Sequence, residues 1–406
     1  KIAECRRVII EDLTRQHLIE KTDEYAHNVA VCYRCGGVIE PLPSLQWFLK
    51  METLAKKAIE AVEKSETKFY PKHWEKAYFD WLKNIRDWNI SRQIWWGHRL
   101  PVFYCGKKLE MHDTQNAERG TQNFVVADKK PASCPFCNEC DMAQETDVLD
   151  TWFSSALWPF AVLGWPEKTK DFEMYYPNHV LSTARDIINL WVARMIYSGL
   201  EFTGQTPFKD VIIHATVLTK DGKRMSKSLG TGIDPMDLIE KYGADATRFG
   251  IIWQNMGTQD MHWSEEHAMA GKKFANKLWN MTRFVMIKTE NLTEIPADIT
   301  AVAFDDTARA FYEKLNCLIS EISKKIDDYE FGHALHLLYE FVWHEFADTY
   351  IEYVKEHDTK ENLILLRHAL IRCIIILHPF MPFITEEIYS ILREDGALLM
   401  IEKWPL

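Results

Sequence analysis

No stretch of this chain approaches the roughly 20 consecutive apolar residues that a transmembrane helix needs, so no helical span and no membrane partner are expected. It also holds no internal repeat and no low-complexity tract, which argues against a solenoid or a long flexible linker. Positive charge is in short supply. Lys and Arg number 48 against 59 Asp and Glu, a formal net charge of −11. That balance does not suit a protein that coats nucleic acid non-specifically. The nine cysteines include two C-x-x-C pairs, Cys32/Cys35 and Cys134/Cys137. Such spacing points to metal ligation in a reducing compartment rather than to disulfides, and so to a cytoplasmic protein.

What is present is ordinary globular material. Of 406 residues, 47% are apolar, enough for roughly two to three domains. One region departs from the acidic average. Between residues 63 and 108, ten Lys or Arg (64, 68, 72, 76, 83, 86, 92, 99, 107, 108) face five Asp or Glu (63, 66, 75, 80, 87). This is the best candidate for a phosphate-facing surface, with a merely solvated face as the alternative. Residues 1–21 suggest one amphipathic helix with Ile9, Ile10, Leu13 and Leu18 on its apolar face. Helical patterns also cover 54–64 and 74–88. The opening Lys1-Ile-Ala-Glu, without Met and already helical in pattern, reads as the start of a piece of something longer.

The chemistry concentrates in Asp221-Gly-Lys-Arg-Met-Ser-Lys-Ser-Leu-Gly230. It follows Asp210-Val-Ile-Ile-His-Ala-Thr-Val-Leu218, a β-rich run that predicts a buried strand. It precedes a helix start, with Asp234 as N-cap, Pro235 at the first helical position and Asp237 three residues after the cap. Three cations (Lys223, Arg224, Lys227) and two hydroxyls (Ser226, Ser228) between glycines are suited to an anion. Lysines neutralise charge on phosphates, and hydroxyls with backbone N–H groups orient them. The residues alone leave open a solvated cationic turn.

Arg224-Met-Ser-Lys-Ser228 resembles the KMSKS signature of class I aminoacyl-tRNA synthetases, with Arg224 in place of the first lysine. Charge is kept but presented differently. The similarity continues from Leu229 to Phe249. It implies that Lys227, with Lys223 and Arg224 beside it, stabilises the phosphates of ATP during amino-acid activation. Met225, Ser226 and Ser228 would share the ATP site, with Mg²⁺ held mainly by the nucleotide. Asn89-Ile-Ser-Arg-Gln-Ile-Trp-Trp-Gly-His-Arg-Leu-Pro101 is similar to another block of the same family. Asp147-Val-Leu-Asp-Thr-Trp-Phe-Ser-Ser-Ala156 resembles the form seen in the valyl branch. The isoleucyl branch has Asp-Ser-Gly after the aromatic pair, where Ser154-Ser155-Ala156 stand here.

Position by position, the resemblance implies that Asp186 holds the α-ammonium of valine. Trp152, Ile187 and Trp191 would wall a pocket for a short branched side chain. Such walls exclude leucine but cannot strongly reject the near-isosteric threonine, a difference worth about 1–3 kcal/mol. Thr183 and His214 would lie beside ATP, although the family's glycines after them are Ala184 and Ala215 here. Arg92 and His98 are expected to face the active-site cleft or the tRNA acceptor end, and Trp95 is expected to be core. Phe274-Ala-Asn-Lys-Leu-Trp-Asn280 and Leu377-His-Pro-Phe-Met-Pro-Phe-Ile-Thr-Glu-Glu-Ile-Tyr389 resemble the family's anticodon-binding bundle. Its helices are expected over 265–288, 308–326, 331–355, 362–377 and 382–392, with Lys273, Lys277 and Arg283 as tRNA contacts.

The cysteines give a second site. Two thiolates on one tight turn reach the same tetrahedral zinc. Cys105, Cys134, Cys137 and Cys140 form the candidate set, with His112 as an alternative fourth ligand and reduced structural cysteines as the other reading. In the resembling family the pair joins a C-x-x-C after the Trp-Gly-His run. Here Lys108 occupies its second position and only Cys105 remains. Cys32 and Cys35 are expected to be an orphaned half-site. Cys5, Cys317 and Cys373 are expected in the core.

The implied fold is α/β. A partial Rossmann-type catalytic portion with a parallel sheet and a small cysteine/zinc module precedes an all-α anticodon-binding helix bundle. Residues 1–45 would be the end of an editing insertion and its return linker. Residues 46–260 would be the second part of the catalytic domain, with the cysteine module at about 102–146, and 261–406 the bundle. No HIGH-type motif is present, since His98 and His378 lack its context. Either the chain is a fragment cut from a longer enzyme or its N-terminal half is supplied separately, so the expected partners are valine, ATP, tRNA(Val) and the missing N-terminal half of the same enzyme, without which little or no aminoacylation is expected. The rivals are an isoleucyl enzyme and a non-catalytic tRNA-binding module.

Overall fold

The computed structural model describes residues 2–32, 35–39, 44–105, 124–138, 141–225, 230–257, 260–292, 296, 298–393 and 396–405, with only the backbone of residues 2 and 3. The chain divides into two units, 1–47 and 48–406.

In the first unit, helix α1 spans Ile2–Arg15 and is braced by Arg7 between Glu4 and Glu11. It ends earlier than the periodicity predicts. His17 turns into the left-handed region at φ +56°, and Leu18 N bonds back to Leu13 O at 3.0 Å, which closes the helix. Ile9, Ile10 and Leu13 are exposed, and so is Cys5, contrary to its expected core position. Further on, Val31 and Val38 bridge across a turn in which Gly36 takes φ +69°.

In the second unit, three strands form a parallel sheet: Lys68–Tyr70 (β1), Asn178–Ala184 (β2) and Phe208–His214 (β3), in the order β1-β3-β2. The central strand β3 buries Val211 and Ile213 on one face. It therefore alternates rather than being buried throughout. Helices α2 (Glu52–Glu63) and α3 (Ala193–Thr203) cover that face through Ala58, Val62, Ala193 and Ile196. The helix expected over 74–88 stops at Lys83, where the Asn84 side chain bonds the Asp80 carbonyl. Trp88 instead enters an antiparallel pair with Leu49 and buries its ring. A separate antiparallel sheet, with Val102–Cys105 between Phe124–Val126 and Met142–Gln144, carries the cysteine module.

After β3, helices α4 (Pro235–Tyr242) and α5 (Ala244–Gln254) lead into the bundle. Asp234 caps α4 as expected, accepting from Met236 N at 2.9 Å. The bundle comprises α6 (Glu265–Thr289), α7 (Asp306–Asp327), α8 (Phe331–Glu340, continuing through a π-helical stretch Phe341–Tyr350 into Ile351–Glu356), α9 (Lys360–Leu377) and α10 (Pro382–Leu392). Its core runs without interruption from Phe249 of α5 through Phe274, Leu315, Leu338, Leu370 and Ile388. That continuity ties α5, which follows the cationic loop, rigidly to the helices. Cys373 is buried as expected, whereas Cys317 lies on the exposed face of α7. Among the described residues no helix is long and apolar enough to cross a membrane.

Candidate active site

The carboxyl ends of neighbouring parallel strands are where open α/β sheets bind ligands. Here β2 and β3 end together, with Thr183 opposite Ile213 and Ala184 opposite His214. Thr183 is buried, while His214 is exposed and its Nδ1 lies 2.9 Å from the Ala215 carbonyl. The chain leaves β2 through a 3₁₀ turn, Arg185–Ile187, and a π-helical turn, Ile188–Val192, before α3. This exposes Asp186 and half-buries Ile187 and Trp191.

Trp152 stands beside this crossover on the short helix Thr151–Ala156. Trp191 Nε1 donates to Ser155 O at 3.2 Å, which ties the π-helical turn to that short helix. Asp150 organises the segment. It is 5% exposed, and its Oδ1 caps the helix by accepting from Trp152 N. Its Oδ2 accepts from Trp88 Nε1 at 3.0 Å and from Arg92 Nη2 at 2.6 Å. Arg92 thus enters the cleft beside Trp152, with its charge engaged by Asp150. A cavity of about 550 Å³ is lined by Trp81, Trp88, Arg92, Asp150, Trp152 and Arg194 among others. The guanidinium of Arg194 stacks 3.5 Å from the centre of the Trp88 ring. His98 Nδ1 meets Ser154 Oγ at 2.6 Å. Trp95 and Trp96 are almost wholly exposed, which corrects the expected core position of Trp95. Gly97 lies so close to Val148 that an added Cβ would sit 2.8 Å from its methyl carbon. The space beneath the segment is therefore filled by Val148, and the indoles turn outward.

The cationic loop grows from a short hairpin. Val217–Leu218 pairs in parallel with Met261–His262, and Leu218 also bridges Arg224. Thr219 N bonds Lys223 O at 2.8 Å around Gly222, whose φ is +75°. Lys223 is exposed, and Met225 packs against Leu238, Trp263 and Ala268. Ser226, Lys227 and Ser228 lie outside the described residues. Arg224 reaches across to the other strand end, where its Nη2 is 2.9 Å from Asp186 Oδ2. Next to it, Arg185 Nη2 pairs with Asp260 Oδ2 at 2.8 Å, a bond that holds the Asp260 carboxyl below its ordinary range. Asp150 and Asp260 were not singled out from the sequence. Asp150 carries a usable signal, an N-cap residue before a short helix, whereas Asp260 carries none.

The cysteine cluster forms. The Sγ atoms of Cys105, Cys134 and Cys137 lie within 4.8 Å of one another, with Cys105 and Cys134 buried. Cys105 and Cys137 are 3.8 Å apart, far beyond a disulfide bond. Zinc–sulfur bonds of about 2.3 Å at tetrahedral angles give an edge of about 3.8 Å, so these three residues fit such an ion. The turn closes through Asn138 N to Cys134 O at 2.8 Å, with Asn138 left-handed at φ +55°. Cys140 lies outside the described residues. In the first unit, Cys32 is half-buried and Cys35 exposed on the turn closed by Gly36 N to Cys32 O at 2.8 Å.

On α6, Lys273 and Arg283 are exposed. Lys277 is half-buried, with Nζ 2.6 Å from Asp348 and 4.2 Å from the Trp343 ring centre. Its charge is engaged within the bundle, and the bond to Lys277 holds the Asp348 carboxyl below its ordinary range.

Comparison with known proteins extends this picture. Residues 14–264 match the family described as tRNA synthetases class I (I, L, M and V), and residues 308–406 match the anticodon-binding domain of tRNA ligase. The chain is 44% identical over 411 residues to a protein named valine–tRNA ligase from Carboxydothermus hydrogenoformans, and 43% identical over 406 residues to one of the same name from Thermotoga maritima. Each alignment covers 99% of this chain and 45% of the relative, so the chain spans less than half the length of the proteins it matches. Among solved structures, Mycobacterium tuberculosis methionyl-tRNA synthetase with methionyl-adenylate superposes with a TM-score of 0.66 at 17% identity, covering 90% of this chain and 66% of that one. The leucyl enzyme of Agrobacterium radiobacter K84 superposes with a TM-score of 0.64 at 18% identity, covering 79% of this chain and 42% of that one. At such identities these two likenesses concern the fold.

Proposed function

Because this chain belongs to the class I tRNA synthetases of the isoleucine, leucine, methionine and valine group, we propose that it takes part in activating valine with ATP and transferring it to tRNA(Val). The observation that carries this reading is the approach of Asp186 and the cationic loop at the shared end of β2 and β3. An ammonium-binding carboxylate and a phosphate-binding loop at one strand end suit a reaction between an amino acid and a nucleotide. The choice of valine rests on the names of the relatives.

In this reading Asp186 receives the α-ammonium, and Trp152, Ile187 and Trp191 enclose the side chain. The valine carboxylate attacks the α-phosphate in line and pyrophosphate leaves; the tRNA hydroxyl then attacks the carbonyl of the valyl-adenylate, loses its proton and forms the ester as AMP leaves. No protein nucleophile is needed. Lys223, Arg224 and Lys227 neutralise charge that grows on the phosphates, while Thr183 and His214 bound the nucleotide. Mg²⁺ bound to ATP supplies further charge neutralisation. Cys105, Cys134 and Cys137 would hold a zinc ion in a structural role, where it would brace the strand that ends at Cys105. The HIGH-type half of the site comes from a second portion of the enzyme. Arg92 faces the active-site cleft, and His98, Lys273 and Arg283 are the tRNA-facing residues.

The test is ATP–pyrophosphate exchange with valine and with isoleucine, by the chain alone and with the HIGH-bearing portion of a valine–tRNA ligase added. Valine-dependent exchange after complementation is the expected result. Preference for isoleucine would move the chain to the isoleucyl branch. Absence of exchange with both amino acids, alongside intact tRNA binding by the folded chain, would refute the catalytic reading in favour of a binding module.

A further inference from the structure

Two adjacent side chains that follow β2 reach the base of the cationic loop in different ways, one through the neighbouring strand and one through the loop itself. Arg185 pairs with Asp260 at 2.8 Å, and their side chains are only 37% and 25% exposed. Asp260 Oδ1 also accepts from Thr216 N at 3.4 Å, so this contact anchors the base of the hairpin. Asp186 pairs with Arg224 at 2.9 Å, but these side chains are 51% and 77% exposed. An ion pair so open to water is weak, and another cation can take its place.

We infer that Arg224 is an internal cation that pairs with Asp186 until the α-ammonium of the incoming amino acid displaces it. This rests on the reading of Asp186 given above. If Arg224 stayed while an ammonium bound the same carboxylate, two cations would sit roughly 5 Å apart against one negative charge, and their repulsion would offset much of the second attraction. Exchange therefore wins over sharing. The displaced guanidinium becomes available to the phosphates of ATP. Amino acid and nucleotide thus favour each other's binding, by the same factor in both directions. The exposed pair limits that factor to about 2- to 5-fold. Arginine suits this task better than the lysine of the KMSKS signature, because its planar, weakly hydrated fork matches a carboxylate. Arg224 is accordingly a positioning residue for the amino-acid site as well as a phosphate ligand.

The test is calorimetric titration of the complete gene product with valine, with and without α,β-methylene-ATP. Arg224→Met is expected to tighten valine about 2- to 5-fold in the absence of nucleotide and to abolish the mutual enhancement, with Arg224→Lys intermediate. The deaminated analogue 3-methylbutanoate, which has no ammonium to exchange, should gain nothing in either variant. Asp186→Asn separates the two ideas. If Asp186→Asn loses valine binding while Arg224→Met binds valine as the unaltered protein does, the exchange is overturned and Asp186 keeps its role. If Asp186→Asn binds valine normally, the role of Asp186 falls and the exchange falls with it.

Discussion

Gly332→Ala sets two physical effects against each other where the catalytic portion meets the bundle. Gly332 is the second residue of α8 and lies against the end of α5. A Cβ there would overlap the Asn255 carbonyl oxygen, sit 2.8 Å from that carbonyl carbon and 3.1 Å from Ile252 O. Ordinary contact begins at 3.4 Å, and all three atoms are backbone, so no rotamer change relieves them. The helices would have to separate by on the order of 1 Å, a strain of about 1–3 kcal/mol. The same shift pulls His336 from Trp253, whose rings stack at 3.6 Å and whose carbonyl lies 3.1 Å from His336 Nε2. Alanine in a helix is otherwise favoured over glycine by about 1 kcal/mol, less near an end. The net expectation is a loss of about 1–2 kcal/mol. Urea unfolding followed by circular dichroism and tryptophan fluorescence measures it. A raised midpoint would mean that helix propensity decides and that the α5–α8 contact is not tight, which would refute the reasoning.

Asp245, 8% exposed, accepts from Phe383 N at 3.2 Å and Ile384 N at 2.7 Å and so caps α10 from α5. Asp245→Ala should cost about 2 kcal/mol in the same unfolding experiment. Burial, with Arg372 nearby, pushes the His368 imidazole down to about 4. Its folded pKa lies below the unfolded value, so its contribution is whole above about pH 6.5 and is lost as pH falls through 4. The stability lost should be on the order of 1–3 kcal/mol, and His368→Gln should flatten that part of the pH–stability curve. Cys134→Ser, at a fully buried ligand position, should lower bound zinc from about one ion per chain to well below one, read by elemental analysis after dialysis. A metal-free unaltered protein would sink that expectation. Ile187→Ala should relax discrimination between valine and isoleucine by on the order of 10-fold in pyrophosphate exchange, and an unchanged ratio would remove Ile187 from the pocket.

Local chemistry was readable from the amino acids alone. Asp234 and Pro235 start α4, Pro382 starts α10, and the run through Val211 and Ile213 forms the central parallel strand. Each of these signals is written within a few residues, by a fixed φ, a side-chain cap or a hydrophobic period. The cationic composition of the loop and the spacing of Cys134 and Cys137 were legible for the same reason. Burial was less so. Trp95 looks like core by its chemistry, yet Val148 fills the space beneath Gly97 and the ring lies outside. Cys5 and Cys317 keep a helical pattern on faces that nothing covers among the described residues. Trp88 leaves its expected helix because Asp150, distant in sequence, offers its indole a buried acceptor. The meeting of Arg224 with Asp186 likewise joins segments that are far apart along the chain. Which of those segments meet depends on how strands and helices pack, and only the tertiary structure decides that.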